Sequence, residues 1–135
     1  MKIPRYTREL RVAVRTPLRG SEDPDKVRFA IENVIGSKVR PANDGRQIEF
    51  FGSREEHLYP LYESIRKRRT LAVARRLLLS NSKEGKTRLL LNKQAAFIGT
   101  LVLCENEDES PLGPIELIIE TDDLGTLIDW LSGET

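Results

Sequence analysis

His57 and Cys104 are the only histidine and the only cysteine of the chain. An imidazole and a thiolate are the usual parts of an activated nucleophile. Neither has the surroundings that chemistry needs. His57 sits between Glu56 and Leu58 at a predicted helix start, with no cysteine near it to build a zinc site, and reads as a surface helix residue. Cys104 closes an apolar run and reads as a small core residue. "GKT" at 85–87 has the ending of a phosphate-binding loop, but Ser80 occupies the position of that loop's first glycine. Its context is also reversed, with a helix before it and a strand after it. Glu105, Glu107, Asp108 and Glu109 lack the regular oxygen spacing and internal glycine of a calcium loop. No nucleophile–base pair, metal cluster or cofactor motif follows from these residues, and an enzyme is not expected.

The basic residues carry more. In "RKRRTLAVARRLLL", about 100° per residue places Arg68, Arg69, Arg75 and Arg76 within roughly 120° of one another if helix runs through 66–76. Leu71, Val73, Ala74, Leu77 and Leu78 then take the rest of the circumference. No acidic residue lies between Ser64 and Lys83, so no helical ion pair neutralises this stripe. Four guanidinium groups side by side repel unless an anion lies across them, and their fork geometry matches phosphate. The alternative is a solvated stripe, or one paired with acids elsewhere in the chain.

The acids are concentrated. Residues 1–104 carry all 22 Lys and Arg, for a net charge of +11, while 105–135 carry none and hold a net of −10. A basic body with an acidic end predicts either two faces of opposite sign or mutual neutralisation. The second outcome would favour a protein-interaction or self-associating module.

A further candidate lies in "LNKQAAFIG", 91–99, where Lys93 and Gln94 interrupt two apolar runs. Asn92 can end a strand and cap one helical turn. Lys93 and Gln94 would then project beside the turn's free N–H groups, an arrangement suited to phosphate; the alternative is that Gln94 merely hydrogen-bonds neighbouring backbone.

Elements must position these groups. "RELRVAVRT", 8–16, alternates as a half-buried strand, with Leu10, Val12 and Val14 on one face and Arg11, Ala13 and Arg15 on the other. Ser21 or Asp23 caps a helix that opens at Pro24 and ends at Gly36. A turn at 43–45 leads into a strand, 46–52. Ser53 and Glu56 have capping-box spacing for the next helix, which Pro60 should kink or restart and a break near Thr70 should interrupt. Strands are predicted at 87–92, 99–105 and 114–121, and a final helix follows Asp122 and Asp123. This order predicts one α+β domain over 1–135, two-layered, with helices on one face of a mainly antiparallel or mixed sheet. The single cysteine suits a reducing compartment. No run approaches the roughly 18 apolar residues of a membrane helix, and "MKIPRYTREL" lacks a signal-like apolar core, so a cytoplasmic protein without membrane contact is expected.

The blocks "LNKQAAFIG" and "ESPLGPIELII", with "SEDPDKVRFAIENVI" and "IRKRRTLAVARRLLL", resemble an uncharacterised, mainly archaeal family grouped as RNA-binding proteins. Relatives of that family are suggested as exosome subunits. The resemblance spans nearly the whole chain. It implies the sheet-and-helix fold of the ribosomal protein that binds 5S ribosomal RNA, and RNA as partner. Few aromatic residues are available to stack single-stranded bases, so structured or double-stranded RNA held through phosphates is expected.

Overall fold

The structure is a computed structural model that describes residues 9–133. The predicted strand's first residue, Arg8, and the aromatic Tyr6 lie outside them. Six strands form one sheet: β1 (Leu10–Pro17), β2 (Ala42–Asn43), β3 (Gln47–Gly52), β4 (Lys86–Leu91), β5 (Leu103–Cys104) and β6 (Ile115–Thr121). Their order across the sheet is β2-β3-β1-β6-β4-β5, and every neighbouring pair is antiparallel. This is an α+β fold. The predicted strand 99–105 shrinks to Leu103–Cys104, and β2 is a short edge strand that the pattern of residues did not announce.

Alternation fixes the two faces of the sheet. Leu10, Val12 and Val14 of β1, Ile48 of β3, Leu89 and Leu91 of β4, and Ile115, Leu117 and Ile119 of β6 are buried. Against them pack the apolar stripes of α1 (Pro24–Ile35), α2 (Tyr59–Lys67), α3 (Leu71–Ser80), the single-turn α4 (Lys93–Phe97) and α5 (Leu124–Ser132). Ala74, Leu78, Leu127 and Leu131 are fully enclosed, while Leu71 is half-buried.

Local chemistry explains most of the helix boundaries. Asp23 accepts a hydrogen bond from the Asp25 N–H, Pro24 follows at the first turn, and Gly36 stops α1 in the left-handed conformation at φ 74°. A Cβ on Gly36 would lie 2.9 Å from the Pro60 ring, so the same glycine also admits α2. Pro60 stands in the first turn of α2 after a short 3-10 turn at Glu55–Leu58, which is the restart that proline forces. The capping box expected at Ser53 and Glu56 does not form: Arg54 takes the cap position, without a side-chain bond. A capping box forms instead between Asn106 and Glu109. His57 is not a surface residue. It is buried, with its ring edge-on to Phe50 at 5.2 Å between centroids.

Candidate nucleic-acid interface

The run 66–76 is not one helix. α2 ends at Lys67 and α3 begins at Leu71. The Thr70 N–H bonds back to the Ile65 carbonyl at 2.8 Å, and Arg69 between them adopts φ 57°. That six-to-one bond with a left-handed residue inside it is how helices commonly stop. Glycine is the ordinary occupant of such a position, because a Cβ there costs about 1–2 kcal/mol. The break ends the single-face geometry on which the four-arginine stripe rests.

Each basic residue of the run therefore meets different surroundings. Arg66 turns inward. Its guanidinium lies 3.5 Å from the Tyr62 ring centroid and donates to the carbonyls of Leu131 at 2.9 Å and Gly133 at 2.8 Å. It thus satisfies carbonyls left open at the end of α5, where a cation is favoured. Lys67, Arg68 and Arg69 are exposed at the corner between α2 and α3, and their side chains meet no acid among the described residues. Arg75 reaches Asp129 of α5 at 2.8 Å, and Arg76 reaches Glu105 at 2.7 Å. The acidic third of the chain thus neutralises the far end of the run and leaves the corner positive. Both ion pairs are solvent-exposed on both sides, and such pairs are worth about 0–1 kcal/mol.

Lys93 and Gln94 correct the sequence reading. Lys93 does not project: its side chain is fully buried. The ammonium donates to the carbonyls of Pro17 and Leu112, each at 2.8 Å, and to Glu22 at 3.1 Å. Burial pulls its pKa below the ordinary lysine value, and Glu22 pushes back. Asn92 caps α4 through the Ala95 N–H as expected. The Lys93 N–H bonds Ser110 Oγ at 3.0 Å, and Gln94 Nε2 donates to the Pro111 carbonyl at 3.1 Å. The two most characteristic blocks of the sequence, 92–97 and 110–114, are therefore one hydrogen-bonded joint that fastens α4 to the ends of β1 and β6. They position elements, and the buried Lys93 offers nothing to a phosphate.

The catalytic candidates are separated by the fold. His57 lies against β3 and Cys104 in β5, on opposite sides of the sheet's centre. Burial, with Glu109 nearby, pushes the Cys104 thiol above its ordinary value, away from the thiolate. Among the described residues no group of three or more His, Cys, Asp or Glu is arranged to hold a metal ion. No helix among them is long and apolar enough to cross a membrane.

A family model described as RNA binding matches residues 11–121. The chain belongs to this RNA-binding family. Its relatives include UPF0201 proteins of archaea. One from Methanothermobacter thermautotrophicus is 37% identical, covering 90% of each chain. Another, from Sulfolobus acidocaldarius, is 35% identical over 93% of this chain and 88% of its own. The crystal structure of a UPF0201 protein from Methanococcus jannaschii superimposes with a TM-score of 0.74 at 26% identity, covering 93% of this chain and 94% of that one. The suggested exosome link and the ribosomal-protein fold remain implications of the resemblance alone. Sequence reasoning missed the open face of the sheet, where Arg11, Arg15, Glu116 and Glu120 stand. Its signal was present: β1 and β6 each place like charges four residues apart on their outward positions.

Proposed function

We propose that the protein is a non-catalytic RNA-binding protein that grips the phosphates of structured RNA at the corner between α2 and α3. The observation that carries this reading is the trio Lys67, Arg68 and Arg69, exposed and without acidic partners on a chain of the RNA-binding family. Arg69 adds to it, because an arginine held at φ 57° keeps a strained position that glycine would fill more easily. Arg75 and Arg76 extend the grip by exchanging Asp129 and Glu105 for phosphate, a small cost for surface pairs. Among the described residues no exposed aromatic ring stands at this corner, which supports contact through backbone and shape rather than stacked bases.

The test is a titration with duplex RNA at two salt concentrations. Five phosphate contacts, the trio with Arg75 and Arg76, predict a log–log salt slope of roughly −3.5 to −4.5, at about 0.7–0.9 per phosphate. Replacing Arg68 and Arg69 by Gln should flatten it by about 1–2 and weaken binding to different RNA sequences alike. Glu105→Gln should instead tighten binding by about two- to fivefold, since it frees Arg76 from a pair worth up to about 1 kcal/mol. Binding that ignores salt, or is untouched by the loss of Arg68 and Arg69, would refute the proposal.

A further inference from the structure

The helix-free face of the sheet is open except at one corner, where Leu90 is buried. Its outward residues form three rows across the strands. The first runs Glu49, Arg15, Glu116, Leu90; the second runs Phe51, Ala13, Ile118, Arg88; the third runs Arg11, Glu120, Lys86. Over the middle row lies a shallow groove of about 720 Å³ lined by Ala13, Phe51 and Ile118 between the charged rows. Phe51 is 68% exposed, more than Phe29 at 53%. The charges already satisfy one another: Arg15 meets Glu116 at 2.6 Å, Arg88 meets the same carboxylate at 2.7 Å, and Arg11 approaches Glu120 at 3.8 Å. Four bases (Arg11, Arg15, Lys86, Arg88) stand against three acids (Glu49, Glu116, Glu120), a net of only +1 that gives a polyanion little to grip. A protein surface with the same alternation finds a match.

We propose that this face seats a second copy of the chain, sheet against sheet, about a two-fold axis parallel to the strands and midway between β1 and β6. The axis follows from the topology, because in the order β2-β3-β1-β6-β4-β5 the midpoint falls between β1 and β6. Rotation about it exchanges β1 with β6 and β3 with β4 while keeping each residue's height along the strands. Arg15 then faces the partner's Glu116, Arg11 faces the partner's Glu120, Ala13 faces the partner's Ile118, and Phe51 faces the partner's Arg88, a cation–π pairing. An axis along the rows instead would set Arg15 against the partner's Arg11 and Glu116 against the partner's Glu120. Charge selects the first arrangement. Stacked sheets rotate by about 30° through their twist, and pairs beside the axis are displaced least. The four long strands, β3, β1, β6 and β4, about 4.8 Å apart and roughly 20–27 Å long, offer about 430 Å² of flat area per copy, on the order of 860 Å² for both. That lies a little under the roughly 1,000 Å² of a stable specific interface and predicts a weak, transient dimer selected by charge. The α2–α3 corner belongs to the opposite layer and stays free.

Sedimentation equilibrium of the full chain across the micromolar range should show a mass approaching twice 15.4 kDa. Ile118→Glu should leave a folded monomer. The decisive pair is Arg11→Glu and Glu120→Arg, both at solvent-accessible positions. Either variant alone sets like charges face to face twice and should associate at least tenfold more weakly. Mixed, they restore both contacts and should form a heterodimer. A wild type that stays monomeric, variants that dimerise unchanged, or a mixture that fails to pair would each overturn the proposal. So would loss of RNA binding by monomeric Phe51→Glu, which would give the face to RNA.

Discussion

Lys93 shows how misleading a charged residue can be when read without its neighbours. An ammonium between apolar runs reads equally as a ligand-binding group or as an internal fastener, because sequence does not say which carbonyls will surround it. Here they belong to Pro17 and Leu112, far away along the chain, and the counter-charge to Glu22. Lys93→Met should therefore cost about 3–5 kcal/mol, the usual penalty for stranding one partner of a buried pair. Urea unfolding measures it, and a cost below 1 kcal/mol would contradict the joint. The same variant should leave RNA affinity unchanged where it is folded. His57 offers a pH test. Burial depresses its pKa below the ordinary value, with Glu56 and Arg54 acting in opposite senses. The unfolded chain therefore takes up a proton near pH 6.5 while the folded chain resists until lower pH. Stability from this residue is complete above about pH 6.5 and is lost as pH falls from there toward the folded value. Nδ1 has no hydrogen-bond partner, so His57→Phe should be tolerated and should flatten the decline in melting temperature between neutral and mildly acidic pH. An unaltered slope would mean another group sets it.

At the scale of elements, caps and alternation were legible and tertiary pairing was not. Asp23, Pro24 and Gly36 bound α1 as their types dictate, and β1 and β6 bury the residues that alternation selects. Asn92 ends β4 and starts α4 for the same local reason. The capping box at Ser53 failed because a 3-10 turn began one residue later. The arginine stripe, which needed one continuous helix, failed because the break expected near Thr70 does form, with Arg69 rather than a glycine in the left-handed position. Nor could local pattern reveal that Arg66 caps α5, since its carbonyl partners come from the far end of the chain. Arg69 separates stability from function. Arg69→Gly should relieve the left-handed strain and raise stability by about 1 kcal/mol, while weakening RNA binding through the lost charge. Parallel thermal melts and RNA titrations check both signs. A variant that is less stable, or that binds RNA as tightly, would show that Arg69 holds its place for packing instead.

For the whole molecule, the uneven charge of the chain resolves into two kinds of surface. Acids from the last third reach Arg75, Arg76, Arg88, Arg15 and Arg11, so the strong asymmetry of the sequence is largely cancelled in three dimensions. What survives is local: an uncancelled corner at Lys67–Arg69 and an alternating sheet face. A net charge of +1 conceals both.

The centre of the sheet has a consequence for how the protein comes into being. β1 and β6 pair Leu10 with Thr121, and β4 joins the sheet's middle only through β6. During synthesis β1 emerges about a hundred residues before β6, its central neighbour. Until β6 leaves the ribosome, β1 has only β3 beside it, and the buried faces of β1 and β4 have nothing between them. The loop that must close spans about a hundred residues, the kind of contact that slows folding. The sheet is therefore completed only when β6 is available, and until then helices and the β1–β3 pair must shelter the apolar residues of the nascent chain.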